Sequence, residues 1–111
     1  EVADKLVDEL KELMPEPVLR NTRKEVENFI KTKAEAGSHL AISQMGDYFL
    51  IIPENPEYKD AYLWFLIASA FQIEGGIARR DDVQKELEGK DIVMIQSKAL
   101  EIFNNISQNL K

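Results

Sequence analysis

"YLWFLIASAF", residues 62–71, is apolar at nine of its ten positions, and Ser69 is the single polar side chain. Three environments suit such a run: a bilayer, a buried core, or a groove left open for a partner. The apolar block extends from Ala61 to Ile73, is interrupted at Ser69 and Gln72, and is closed by Asp60 and Glu74. A helix that crosses a membrane needs about 20 apolar residues, so this block is too short to span. A helix lying on a membrane surface carries a strongly polar, usually basic, opposite face, and none is present here. A helix apolar all round is buried on all sides. The reading is therefore a central helix over 56–74, with Asn55 as its N-cap, Pro56 at the first helical position and Gly75-Gly76 as its stop. The functional alternative leaves one side open. Tyr62, Trp64, Phe65 and Phe71 are then the tentative partner-binding residues, because aromatic side chains are enriched at protein contacts.

The flanking segments supply a shell. "EVADKLVDELKELM" places Val2, Leu6, Leu10 and Leu13 at spacings of four, four and three, the signature of an amphipathic helix with one apolar face. "PEP" at 15–17 ends it, since Pro15 disfavours helical geometry at Met14. A second helix starts near Thr22, where "TRKE" forms a capping box, and stops at Gly37, a favourable residue just past a helix end. Residues 38–52, "SHLAISQMGDYFLII", fit two patterns. A helix capped by Ser38 has a stripe of Ile42, Met45, Phe49 and Ile52. A β-hairpin over 39–52 turns at "MGDY" and ends in the strand-like "YFLII". The helix is favoured, although Gly46-Asp47 weakens it. Asp81 and Gln84 form a further capping box that opens a short helix ending at Gly89. Asp91 caps a last helix, where Ile92, Ile95, Ala99, Ile102 and Ile106 recur at spacings of three and four, with Val93, Leu100, Phe103 and Leu110 widening the face. The tail "NNISQNLK" is polar enough to fray. The fold expected is all-α: one domain over 1–111, a compact bundle of five or six helices around the apolar helix 56–74.

Composition narrows the chemistry. The 111 residues suffice for one hydrophobic core. There is no cysteine, which excludes disulfides, thiolate nucleophiles and Cys-type zinc sites. Its absence fits a reducing compartment, and a cytoplasmic location is the expectation. The chain opens on Glu1 rather than methionine, as a processed end or a domain boundary does, and its charged first 14 residues do not follow the secretory-leader pattern. Twenty acids stand against 14 bases, for a formal charge of −6. On average such a chain repels polyanions and anionic membranes.

Catalytic and cofactor signatures are sparse. His39 is the only histidine, so a zinc site would rest on one imidazole plus carboxylates, a poor ligand set. It reads as a loop or cap residue. No nucleophile elbow supports a Ser–His–acid triad, and no phosphate-cradling glycine motif is present. No metal or cofactor is expected, and the chain does not read as an enzyme. An enzyme would have to work with carboxylates alone, the weakest of the readings. Arg20, Arg23, Lys24 and Lys31 are interleaved with acids, the pattern of a solvated helix face.

Two binding layouts were compared with the sequence. Residues 79–100, "RRDDVQKELEGKDIVMIQSKAL", have the helix–turn–helix layout, with Arg79, Arg80, Lys90 and Lys98 as the bases available for nucleic acid. The second helix opens "DIVMIQ", a poor reader of base edges, so nucleic acid is an unfavoured partner. Trp64, Ile67, Ala68 and Phe71, with "SKALEIF" at 97–103, imitate the two helices of a tetratricopeptide repeat. Residues 73–96 intervene, far too long a connection for that hairpin. By elimination the sequence reads as a small acidic interaction domain: an adaptor, regulatory subunit or inhibitor that binds another protein or a second copy of itself through an apolar helical surface.

Overall fold

The computed structural model describes residues 23–110. The amphipathic pattern at 1–14 and the capping residue Thr22 lie outside them. Within the described residues the chain is helical, with no strand: α1 (Arg23–Glu35), α2 (His39–Ile51), α3 (Tyr58–Ala70), α4 (Gly76–Gln84) and α5 (Gly89–Asn109). The all-α reading is correct, and 39–52 is helix rather than hairpin. Ser38 decides that segment locally, because its hydroxyl accepts from the Ala41 backbone N–H at 3.2 Å. This satisfies one of the orphan donors at the helix start. Ala41, Ile42, Gln44, Met45, Gly46, Asp47, Tyr48 and Phe49 are all buried, as in a helix gripped on more than one side.

Helix α3 is the hub. It packs against α2, α4 and α5, while α1 packs chiefly on α2. Ala61, Tyr62, Leu63, Trp64, Phe65, Ile67 and Ala68 are all buried, as an all-round apolar helix requires. Its ends differ from the sequence reading. The helix starts two residues later than Pro56, with Glu57 in the cap position. The Glu57 N–H donates to the Phe49 carbonyl at 2.9 Å, which ties that residue to the end of α2 before α3 begins.

At its other end α3 stops at Ala70, short of the glycine pair. Gln72 takes a left-handed backbone, φ 59°. The Gln72 N–H donates to Ser69 O and the Ile73 N–H to Ala68 O, the paired bonds of a Schellman stop. Helix α1 ends in the same motif, but with Gly37 (φ 98°) at the left-handed position. A side chain with a Cβ is strained there. Gln72→Gly should therefore raise the unfolding free energy by about 1 kcal/mol, measurable by urea denaturation; an unchanged or lower midpoint would contradict the assignment.

The two short-range readings that follow are also corrected. The helix expected from Asp81 to Gly89 instead spans Gly76–Gln84, so Asp81 lies inside it and Gln84 ends it, and neither caps its start. The reason lies at Gly76, where an added Cβ would come 3.0 Å from the Ser69 backbone nitrogen. Only glycine lets the first turn of α4 press against the end of α3. Helix α5 begins at Gly89 with Glu88 in the cap position, and Asp91, one turn in, pairs with Lys59 at 3.6 Å. The helix runs through Asn109, with Ile106 buried.

Candidate functional site

The four aromatic residues singled out in the sequence are now placed. Tyr62, Trp64 and Phe65 are core residues, 0%, 3% and 1% exposed. Only Phe71 reaches the surface, half-buried between the rings of His39 (5.6 Å) and Phe103 (4.6 Å). Tyr62 and Phe65 are closed off within the core, and Trp64 shows only in the floor of a cleft. Their burial follows from three helices converging on α3, where a two-sided packing would have left one of them outward.

Tyr62 and Asp47 use their polar atoms to join helices within this core. The Tyr62 hydroxyl donates to Gln84 Oε1 at 2.9 Å and accepts from Gln96 Nε2 at 3.3 Å. One oxygen thus links α3 to both α4 and α5, satisfying a phenol that burial would otherwise leave dry. Asp47 is buried within α2 and forms an ion pair with Arg79 of α4. The Arg79 guanidinium also lies 5.9 Å from the centroid of Phe65. These are structural bridges between helices.

The bases considered for nucleic acid are engaged too. Arg79 holds Asp47, Arg80 bonds its neighbour Asp81 at 2.9 Å, and Lys90 sits 3.7 Å from Glu88. Lys98 stands with Lys31 in the wall of a cleft of about 320 Å³, beside Glu27, Glu57 and Asp60 and over Met45, Phe49, Leu63, Trp64 and Ile102. Helices α4 and α5 pack chiefly on α3, whereas a helix–turn–helix needs its two helices packed on one another. Three acids, Glu27, Glu57 and Asp60, thus share this cleft with two lysines. Among the described residues, no group of three or more His, Cys, Asp or Glu side chains is placed to hold a metal.

What remains open is an edge of α5. The stripe Ile92, Ile95, Ala99, Ile102 and Ile106 faces the core, as its spacing requires. A second stripe, offset by one residue, runs Val93, Gln96, Leu100 and Phe103. The sequence reading took its apolar members as a widening of the buried face. Instead Val93 is 64% and Leu100 60% exposed. Between this stripe and α3 lies a groove of about 350 Å³, lined by Leu66, Ser69 and Ala70 on one side and Gln96, Ala99, Leu100 and Phe103 on the other. Ser69 turns its hydroxyl back to the Leu66 carbonyl at 2.9 Å, so the α3 wall offers little but carbon. Small residues at 69 and 70 leave room beside the larger ones of α5. The signal for this site was present in the sequence as two interleaved stripes, but only the packing tells which one is covered.

No protein-family model, no curated protein and no solved structure matches the chain.

Proposed function

We propose that this chain is a small interaction domain, an adaptor, regulatory subunit or inhibitor working in the cytoplasm, and that it binds an apolar helix of another protein along the open edge of α5. The observation that carries this reading is Leu100, mostly exposed where it lines an apolar groove, with Val93, also mostly exposed, two turns before it on the same stripe of α5. Carbon surface left in water is a standing cost that a partner removes. The geometry suits the helix-in-groove mode, in which anchors three and four residues apart enter an apolar trough. Met94 and Ile77 are exposed as well.

The test uses the full chain carrying a photo-crosslinking residue at position 100, expressed in cells. A discrete adduct is expected with one protein. Adding Val93→Asp should abolish it while leaving the circular dichroism spectrum unchanged. A crosslinker at exposed Glu101 serves as the control. Failure to form a discrete adduct from position 100, or equal adducts from 100 and 101, would overturn the reading.

A further inference from the structure

We propose that the cleft where α1, α2, α3 and α5 meet is a small-molecule site, and that it takes a zwitterion with an apolar side group, of the kind a free apolar amino acid presents. The cleft shares no lining residue with the groove beside α5. The proposal therefore goes beyond the docking reading and is tested apart from it.

Three observations lead to it. The first is the indole of Trp64. This side chain is 3% exposed and lines the cleft, yet its N–H donates to no acceptor among the described residues. Nor is that nitrogen sealed in the core. A buried tryptophan ordinarily finds an acceptor for its N–H, and here the cleft is where one can enter. The second is the pair of lysines. Lys31 of α1 and Lys98 of α5 line the same cleft, and among the described residues neither forms an ion pair. Lys31 follows Glu27 by four positions, the spacing and order that most favour a salt bridge on a helix, and the two still do not pair. Lys85 and Asp82, both well exposed on α4 and just past it, do pair, at 3.6 Å. One indole N–H and two ammonium groups together make a donor set for a carboxylate.

The third observation is what surrounds those donors, and it decides between ligands. Phe49, Leu63 and Ile102 join Trp64 in giving the cleft a carbon surface, which a hydrocarbon side group would cover. Glu27 and Asp60 also line the cleft, and among the described residues they too form no ion pair. A simple carboxylic acid would gain the lysines and be repelled by these two carboxylates. An ammonium on the same ligand turns that repulsion into attraction. A molecule that carries both charges beside an apolar group therefore meets every part of the lining. The volume of about 320 Å³ falls at the lower end of small-molecule sites, roughly 300–1,000 Å³, which suits a ligand of amino-acid size.

Trp64 is the chain's only tryptophan, so its fluorescence reports from the cleft itself. The test titrates the full chain with L-phenylalanine, with phenylpropionate, which lacks the ammonium, and with phenethylamine, which lacks the carboxylate. Calorimetry repeats each titration, so that a spectrally silent complex is detected. L-phenylalanine should bind saturably with a Kd below about 1 mM, and each analogue at least about tenfold more weakly. Replacing both cleft lysines, Lys31→Met with Lys98→Met, should weaken L-phenylalanine by about tenfold or more. Both lysines are exposed, so the circular dichroism spectrum should not change. Lys24→Met with Lys85→Met removes the same charge from exposed positions outside the cleft and should leave the Kd where it was. No saturable binding of L-phenylalanine by either readout would overturn the proposal, as would a Kd unmoved by the cleft pair or moved equally by both pairs. An analogue that binds as tightly as L-phenylalanine would overturn it too, because one of the two charges would then go unrecognised.

Discussion

Gly46→Val should lower the unfolding free energy by about 3–4 kcal/mol, more than an overpacked core position usually loses. A Cβ at position 46 would meet Phe65 Cε1, Cδ1 and Cζ at 2.2, 2.5 and 2.6 Å. In an open helix, exchanging glycine for a residue with a side chain gains stability, up to about 1 kcal/mol for alanine. Here the sign reverses, because the ring cannot retreat. Phe65 is buried, with the backbone of α2 pressed on it at Gly46 and the Arg79 guanidinium near it from α4. Gly46→Ala should already destabilise by about 2 kcal/mol. In a Phe65→Leu background its cost should fall by more than 1 kcal/mol, the coupling expected of residues in direct contact. Urea titrations of the four chains measure it. A neutral or stabilising Gly46→Ala would show that α2 and α3 do not meet at this point.

Arg79→Ala has the second largest expected effect, a loss of about 2–4 kcal/mol. The Asp47 side chain is only 10% exposed, against 34% for Arg79. Removing the cation takes its charge away from a carboxylate held in the interior, and the desolvation cost that is then less well offset outweighs the pair's own net contribution. Replacing both members by apolar side chains, Asp47→Leu with Arg79→Met, should recover most of the loss, because neither charge then remains to be buried. Arg79→Lys should recover only part, since an ammonium lacks the flat guanidinium that lies by the Phe65 ring. Denaturation midpoints of the three variants decide it; a double variant as unstable as Arg79→Ala would assign the effect to lost packing by the arginine stem.

These two positions also mark where the sequence was readable and where it was not. Residues 61–73 are apolar on every face, which is why the central helix could be read without coordinates, and Ser38 and Gly37 have local bonding that fixes their roles. Gly46-Asp47 reads as a weakness in α2, because the sequence shows the poor helix formers but not the ring that needs the glycine or the arginine 32 positions away. Gly75-Gly76 reads equally well as a stop or a start. The chain uses Gln72 for the stop and the glycines for the next helix, a choice made by the contact of Gly76 with the end of α3. For the candidate site, both stripes of α5 could be seen, yet exposure of the second depends on where three other helices lie. The aromatic residues of α3 attracted attention by type, and their burial is a property of the assembled core.

The order in which the helices meet bears on how the chain reaches this state. Contacts between α1 and α2, α2 and α3, and α3 and α4 join consecutive elements, and the contact between α3 and α5 skips only one. Among the described residues these main packings are between near neighbours, and such local contacts close small loops before large ones. The delay that matters comes earlier, on the ribosome. Helix α3 is complete before α5 has been made, so Leu66, Ala68 and their neighbours wait in water for about 40 residues of further synthesis, a matter of seconds at roughly 5–20 residues per second. During that interval the most apolar segment of the chain is its most aggregation-prone. The arrival of α5 ends the exposure on one side of α3 and leaves the groove as what remains of it.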